Sequence, residues 1–484
     1  MAGFEIPQGW TAQSYQFALA PTGAQTGVLL SHAGGARVAY NTMLAAVKAN
    51  LDQRIAERSY GVAAQDLTPS IGWSFQSLRN EWNRRKHTVA IGSDGVPWWT
   101  ENSKEVYAGG CRNLAQALSN WSSSKKGTRR GPSGFPRFKS KHRAVKSFSF
   151  TTGTIRVEAD RHHVTLPRVG TIRTHESTRK LVRRVDAGTA RILRATIRLE
   201  RGRWLVSFTA LVAREIGRPA HVKAGAAVIG IDAGVKDLLV VADPNGTELA
   251  RHRAPRELKA ADRTLRALQR KAARQVGSWD PVARSRRDAS RGWVRTQAEI
   301  GRAHARIARL RADRIHKLTT MLAQRHAVIG VETLAVKNMM AAGGARKRGL
   351  NRAFGDAGLG NVLRQLDYKT SWYGSRLVKA DRWFPSSKTC SGCGVVKAKL
   401  HLAERTYQCD RCGLIIDRDL NAAVNLARHA QRVTDPSTGV VTGGADHKTT
   451  PPGAAGGCET RTHTDVGDEH AHDDGSASPN EEAA

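Results

Sequence analysis

Two apolar runs a hundred residues apart, Ala226-Ala-Val-Ile-Gly-Ile-Asp232 and Ala327-Val-Ile-Gly-Val-Glu332, each close on a single acid. Short β-branched runs of this kind read as buried strands. Packing alone poorly explains a carboxylate at the end of such a strand, because these positions favour apolar residues. A third acid, Asp419, stands at the start of the last helical segment, in Asp417-Arg-Asp419-Leu-Asn-Ala-Ala423. Taken singly, Asp232 reads equally well as a turn residue and Asp419 as a helix cap. If the three converged they would repel one another severely unless cations sat between them. Two Mg²⁺ ions about 4 Å apart fill that need, with a scissile phosphate and an activated water at hand. Asp417 competes for the third place. Asp419 is preferred, since a helix opening Asp-Leu-Asn-Ala-Ala can aim it inward from its first turn.

An Asp ending the first of three strands, a Glu ending a later strand and an Asp on the final helix is the order of an RNase H-like fold. The strands that follow Asp232 fit it: Leu238–Ala242, closed by the turn Pro244-Asn-Gly, then Glu248-Leu-Ala. Lys259–Lys271 and Trp293–Arg325 are basic with an apolar helical stripe (Ile300, Ala303, Ile307, Leu310, Ile315, Leu318, Leu322), which predicts an antiparallel helical hairpin. Val362–Tyr373 reads as helix, Arg376–Trp383 as strand and Leu420–Ala430 as the last helix.

Between that strand and that helix lie Cys390-Ser-Gly-Cys393 and Cys409-Asp-Arg-Cys412, with fifteen residues between the pairs. Two such knuckles close on one tetrahedral Zn²⁺, and four thiolates leave no open position, so the site is structural. Soft thiolates suit Zn²⁺ and carboxylates with water suit Mg²⁺, so two chemically separate metal sites are expected. Cys111 reads as a core thiol and Cys458 as a tail residue. Cysteine used in this way implies a reducing cytosol and hence a cytoplasmic protein.

The chain carries 77 Lys+Arg against 42 Asp+Glu, a net +35. Eight acids and one Arg fall in Glu459–Ala484, so that stretch is −7 and the rest is +42. Such an excess argues for a polyanionic partner. A membrane surface is the rival reading, but no apolar run approaches a span and no signal peptide opens the sequence. Ser124–Arg143 interleaves Phe135 and Phe138 with Arg137, Lys139 and Lys141, which suits a phosphate backbone with base stacking. A merely solvated basic loop is the alternative. Tyr15–Leu19 reads as a strand ended by Pro21. Gln25–Arg58 reads as a helix that Gly34-Gly35 can interrupt, and Lys104–Trp121 as a second helix. Thr154–Val157, Val164–Leu166, Ile192–Leu199 and Trp204–Leu211 predict a small antiparallel barrel with Val164, Ile197, Leu199, Trp204, Val206 and Phe208 inside. Beyond Thr434 the composition predicts disorder.

Several stretches resemble the TnpB family of transposon-encoded RNA-guided nucleases, from which the compact type V CRISPR effectors descend. They are Tyr15-Gln-Phe-Ala-Leu-Ala-Pro-Thr22, Gly134-Phe-Pro-Arg-Phe-Lys-Ser140, Gly230-Ile-Asp-Ala-Gly-Val235, Arg314-Ile-His-Lys317, Pro385-Ser-Ser-Lys-Thr-Cys390 and Asp417–Ala423. The resemblance runs from about residue 13 to 430. It implies a multidomain α/β chain: an RNase H-like RuvC nuclease domain with a zinc-ribbon insertion, a small β-barrel wedge domain and a helical recognition lobe. The expected boundaries are 1–22 for the first wedge strand, 23–147 for the lobe with its basic loop and 148–222 for the wedge barrel. The nuclease would cover 223–384 with a hairpin insertion at 256–325, the ribbon 385–416, the last nuclease helix 417–432 and a tail 433–484. By the same resemblance Asp232, Glu332 and Asp419 match the RuvC acids, and Cys390, Cys393, Cys409 and Cys412 the ribbon. The protein would bind a structured guide RNA, recognise a short motif beside its target DNA and cut with one site. Thr333 departs from the acid or amide usual after the glutamate, which should alter only the surroundings of that ligand. A guided DNA-binding protein or repressor that barely cleaves is the second reading. A transposase is the third, and no separate helix-turn-helix is evident in the sequence to support it.

Overall fold

The computed structural model describes residues 5–92, 94–129, 131–151, 154–214, 227–280, 285–286, 290–341, 345–401 and 403–435. Readings that concern Ala226, the end of the wedge, Cys458 and the tail from 436 lie outside the described residues.

Strand β1 (Trp10–Ala20) ends at Pro21, and Thr22 opens helix α1 (Gly23–Ser59) through a reciprocal capping box with Gln25. Gly34-Gly35 does not break α1. A Cβ at Gly35 would lie 2.9 Å from the Tyr107 ring, and one at Gly110 would lie 2.4 Å from the Ala36 carbonyl oxygen. The glycines therefore serve close packing of α1 on α3 (Lys104–Lys125). Between these two runs α2 (Phe75–Val89), which the sequence reading left out. Only Leu78, Glu81 and Trp82 of α2 are buried, a stripe too thin to stand out among its charges, yet Trp82 stacks on Tyr107 with centroids 5.1 Å apart.

The following segment contributes β2 (Ser147–Phe150), β3 (Arg156–Val157), β4 (His163–Leu166), β5 (Gly170–Thr174), helix α4 (Arg179–Asp186), β6 (Ala190–Glu200) and β7 (Arg203–Ala213). With β1 they form a seven-stranded antiparallel sheet in the order β2-β6-β7-β1-β5-β4-β3. Strand β1 is its hinge, pairing with β7 from Trp10 to Ala18 and with β5 at Leu19 and Ala20. Both arms and the helices share one apolar core that includes Leu44, Leu114, Phe150, Val164, Ile197 and Phe208. Among the described residues the ladder ends at β2 and β3 with no pairing between them. Cys111 is buried in this core and its thiol is pushed up to about 12 by burial, as expected of an inert packing residue.

A second core belongs to a mixed sheet. Its strands are β8 (Val228–Asp232), β9 (Asp237–Ala242), β10 (Glu248–Arg253), β13 (Val328–Val331) and β14 (Arg376–Lys379), ordered β10-β9-β8-β13-β14. Strands β8, β13 and β14 run parallel, and β9 and β10 are antiparallel additions at one edge. Between β10 and β13 lies the expected helical hairpin, α5 (Glu257–Gln275) and α6 (Arg291–Arg325), bridged by the short strands β11 (Trp279–Asp280) and β12 (Ser285–Arg286). Ile307, Ile315, Leu318 and Leu322 of the α6 stripe are buried, whereas Leu310 is half exposed. Helices α7 (Val336–Met339), α8 (Ala345–Ala357) and α9 (Leu359–Tyr373) lead to β14. That strand stops four residues short of the expected Trp383, because the chain turns at Asp381, whose carboxylate accepts from the Trp383 amide at 2.8 Å. Strands β15 (Thr406–Gln408) and β16 (Ile415–Asp417) form a small hairpin, and α10 (Arg418–Thr434) ends the described chain. Among the described residues no helix is long and apolar enough to cross a membrane.

Helix α10 lies directly on β8 and β13. Gly230 and Gly330 are register partners on these strands. A Cβ at Gly230 would sit 2.0 Å from the Ala423 carbonyl oxygen, and one at Gly330 2.4 Å from that of Leu426. Gly230→Ala should therefore force helix and sheet apart and cost on the order of 3 kcal/mol or more. The control Gly349→Ala, at a helical position with open space beyond it, should be neutral or stabilising by up to about 1 kcal/mol. Chemical unfolding of the two variants checks this.

Candidate active site and metal centre

Strands β8 and β13 pair in register, Ile231 opposite Val331, so the next residues, Asp232 and Glu332, stand side by side at the same end of the sheet. Helix α10, pressed onto these strands by the two glycines, brings Asp419 in its first turn to the same end. The three acids share one electrostatic neighbourhood. The Asp232 carboxyl is raised well above the ordinary carboxylate range, first by burial and then by the charges of Glu332 and Asp419. All three residues remain partly exposed, which leaves the cluster an open side.

The rivalry between Asp417 and Asp419 has a structural resolution. Asp417 is the N-cap of α10, accepting from the backbone amides of Asp419 at 3.1 Å and Leu420 at 3.0 Å. The Arg251 guanidinium bridges Asp417 (3.1 Å), Asp237 (3.2 Å) and Glu248 (2.8 Å). Burial would raise the Asp417 carboxyl, but the Leu420 amide and Arg251 together hold it below its usual range. The cap role that Asp419 could have filled thus falls to Asp417, which leaves Asp419 beside Asp232. Arg418 donates to the carbonyls of His401 (3.3 Å) and Glu404 (3.4 Å), and its charge partly offsets the rise of the Asp232 carboxyl.

Glu332 accepts a hydrogen bond from the Ser386 hydroxyl, and Thr333 donates to the Ala380 carbonyl at 2.7 Å. Thr333 thus ties its strand to the end of β14. Ser386 begins a loop stapled to α10 by two buried amides. Asn425 donates to the carbonyls of Ser386 (2.8 Å) and Thr389 (2.7 Å), while Asn421 donates to Thr389 (2.8 Å) and accepts from the Ser391 amide (2.9 Å). Arg428 adds a bond to the Ser391 carbonyl. None of Ser386, Asn421, Asn425 and Arg251 was singled out from sequence. The available signal was an amide at i and i+4 on a face of α10 otherwise made of Ala, Val and Leu.

This loop runs straight into the cysteine cluster. The Sγ atoms of Cys390, Cys393, Cys409 and Cys412 all lie within 4.8 Å of one another, with 3.6 Å from Cys390 to Cys412 and 3.5 Å from Cys393 to Cys409. Four thiols at this separation fit one tetrahedral Zn²⁺. Among the described residues they are the one group of metal-type ligands gathered so tightly; the three carboxylates are grouped more loosely. Tyr407, on the β15–β16 hairpin, is buried beside Cys390 and Cys409 and donates to the Lys388 carbonyl at 3.2 Å.

The basic loop divides. Phe135 meets Trp121 edge to face at 5.0 Å, and Lys139 lies over the Tyr40 ring at 3.8 Å while its backbone exchanges two hydrogen bonds with the Asn41 amide. Both side chains face the helical lobe. Phe138, Arg137 and Lys141 point to solvent.

A mixed α/β protein with a carboxylate centre and a four-cysteine cluster is therefore the class that fold and site define. Three family models match it: a "Cas12f1-like, TNB domain" over residues 360–426, a "Probable transposase" over 212–342 and a "Helix-turn-helix domain" over 11–55. Against "Putative RNA-guided DNA endonuclease Rv2885c" of Mycobacterium tuberculosis strain H37Rv the chain is 42% identical over 472 residues, 96% of each chain. InsQ of Escherichia coli K12, under the same description, is 27% identical over 430 residues, covering 86% of this chain and 92% of its own. Among solved structures, the Cas12f1–sgRNA–target DNA complex aligns with a TM-score of 0.43 at 13% identity, over 87% of this chain and 99% of that one. The chain belongs to the TnpB-like family. The segment matched by the helix-turn-helix model is here one strand and one unbroken helix, β1 and α1, with no turn inside the helix.

Because Asn421, Asn425 and Arg428 couple the knuckle loop to the helix that carries Asp419, losing the knuckle should disturb the acid cluster. Cys409→Ser is expected to release metal and lower any carboxylate-dependent activity at least about tenfold. Metal content and protease sensitivity around residues 385–416 would report it, and full activity in a zinc-free variant would contradict it.

Proposed function

We propose that the protein is an RNA-guided DNA endonuclease that hydrolyses phosphodiesters at one RuvC-type centre made of Asp232, Glu332 and Asp419. The observation behind this is the juxtaposition of acids from three elements: Asp232 and Glu332 follow register partners on β8 and β13, and Asp419 lies in the first turn of α10 against the same strands. A partly open cluster of three acids, each from a different element, keeps a like-charge conflict that a purely structural site would avoid. Asp232, Glu332 and Asp419 are the residues that would hold two Mg²⁺, which when bound supply charge neutralisation, a more acidic water and stabilisation of the leaving oxygen. The other groups act through these three. The Ser386 hydroxyl fixes the Glu332 carboxylate, and Asp417 with Arg251 fixes the first turn of α10. The cysteine cluster would hold a structural Zn²⁺.

Guide and target fit the charge. A net +35 is suited to a polyanion, and Arg137, Phe138 and Lys141 offer outward cations and an aromatic face to a strand. Sequence choice then belongs to base pairing with the guide, and the protein holds backbone and shape. The M. tuberculosis and E. coli relatives carry the RNA-guided DNA endonuclease description. A transposase reading has the helix-turn-helix and transposase models behind it; plain cleavage products, with no strand-transfer products, separate the two.

The protein should purify with one RNA species, and the resulting complex should cut DNA matching the variable end of that RNA when Mg²⁺ is present. Asp232→Asn is expected to lower cleavage on the order of 10³-fold while leaving target binding intact. Equal cleavage by this variant would refute this centre, and target binding without cleavage by the native protein would leave only a guided binding protein. Asp419→Asn should match it. Asp417→Ala should instead cost about 1 kcal/mol of stability through the lost cap and retain measurable cutting.

The same carboxyl sets a pH signature. A group whose folded pKa is raised stabilises the fold most below its unfolded pKa, and that contribution is lost as pH rises through the folded value. Metal-free protein should therefore lose stability as pH climbs above the ordinary carboxylate range. Asp232→Asn should flatten that decline, and Mg²⁺ should offset it in the native protein; thermal melts in EDTA and in Mg²⁺ across pH would test both.

A further inference from the structure

We infer that Trp383, backed by Arg382, is a stacking platform for an unpaired base of the DNA strand entering the carboxylate centre. This rests on the reading of that centre given above.

Trp383 is 79% exposed, an unusual position for the largest apolar side chain. It is nonetheless held firmly. The segment around it is pinned at both ends to the strand that carries Glu332. On one side the Ala380 amide donates to the Val331 carbonyl at 2.8 Å, and the Ala380 carbonyl accepts from Thr333. On the other side the Ser386 hydroxyl donates to Glu332 itself. Between these anchors Asp381 takes the Trp383 amide at 2.8 Å and the Phe384 amide bonds the Asp381 carbonyl at 3.1 Å. Phe384 turns inward onto His429 of α10, with centroids 4.8 Å apart. The turn therefore buries one aromatic and presents the next to solvent.

Ser386 lies three positions after Trp383, so their Cα atoms lie no more than about 11 Å apart. The segment bearing the indole thus borders the acid cluster, at the end of the parallel strands where ligands of such sheets gather. The Arg382 guanidinium covers one region of the ring, 5.0 Å from its centroid. A cation on a tryptophan rim gives a strand both a π-face for a base and a charge for its phosphate. Base stacking on an indole needs an exposed base face, which a duplex hides and an unpaired strand offers. Such stacking is worth about 1–3 kcal/mol per base. The platform would act as a positioning residue, setting which phosphate reaches Asp232, Glu332 and Asp419.

The test uses the complex with its co-purified RNA and a single-stranded DNA complementary to the guide, carrying 2-aminopurine at successive positions around the cut. Measured in the Asp232→Asn background, one or two positions should be quenched on binding. Trp383→Ala should abolish that quench and Trp383→Phe should keep most of it. In the active protein Trp383→Ala should raise KM for the strand about tenfold or more, the loss expected for one stacked base, and blur the cut position. The melting temperature should barely move, since the side chain is 79% exposed. An unchanged quench and unchanged cut position in Trp383→Ala would overturn the platform even with Asp232→Asn inactive. Cutting by Asp232→Asn would instead strike at the centre itself.

Discussion

Everything at the acidic end of the molecule depends on one close contact, that of α10 with the backbone of β8 and β13. Helices usually ride on a sheet with side chains between. Here glycine at the same register on two neighbouring strands removes that layer, and the helix backbone settles where a Cβ would otherwise stand 2.0 Å from a carbonyl oxygen. From that seat the first turn of α10 carries Asp419 toward Asp232 and Glu332. The next turns carry Asn421 and Asn425 into the loop that supplies Ser386 and leads to the cysteines. One helix thereby fixes both the carboxylates and the knuckle, and the two metal-type sites are mechanically joined though chemically distinct.

The placement of cations follows the same logic. A free guanidinium among three carboxylates would neutralise them and close the site. Arg251 is instead saturated by Asp237, Glu248 and Asp417, and the Glu248 pairing, with the other two behind it, raises its own pKa further. Arg418, adjacent in sequence to Asp419, hydrogen-bonds the His401 and Glu404 carbonyls, yet its charge still partly offsets the rise of the Asp232 carboxyl. The net effect on Asp232 is nevertheless upward, since burial and the neighbouring acids outweigh that one cation.

What the sequence made legible divides along physical lines. Strands ending in acids, the CxxC pairs and the long basic hairpin are local patterns, and the structure carries them as read, with β8, β13, α5, α6 and the clustered thiols in place. Side-chain direction was not local and was not legible. Phe135 and Lys139 belong to the same basic, aromatic run as Phe138 and Lys141, yet two face Trp121 and Tyr40 while the others face water. Gly34-Gly35 read as a point where the helix can be interrupted, because glycine weakens an isolated helix. Gly35 is instead set by a partner far along the sequence, Tyr107, while Gly34 faces open space. Helix α2 was missed for the converse reason: its stability comes from Leu78 and Trp82 packing on a distant tyrosine, with little from its own pattern.

Asp417 and Asp419 show where such reading gains from chemistry. Both are two residues or fewer from the start of α10, and spacing alone cannot rank them. An N-cap side chain must turn back to accept the amides of the residues after it, and what reach remains to Asp417 goes to Arg251 on the edge strand β10. A first-turn residue on the inward face has no such duty. Once Asp417 is seen taking the amides of Asp419 and Leu420 and the Arg251 guanidinium, its carboxylate is fully engaged and held low. The Asp419 charge acts on Asp232 second only to that of Glu332 among the neighbouring acids, and ahead of that of Asp417. The division of labour between two acids so near in sequence is thus set by capping geometry, and the cap is what frees the second acid for the cluster.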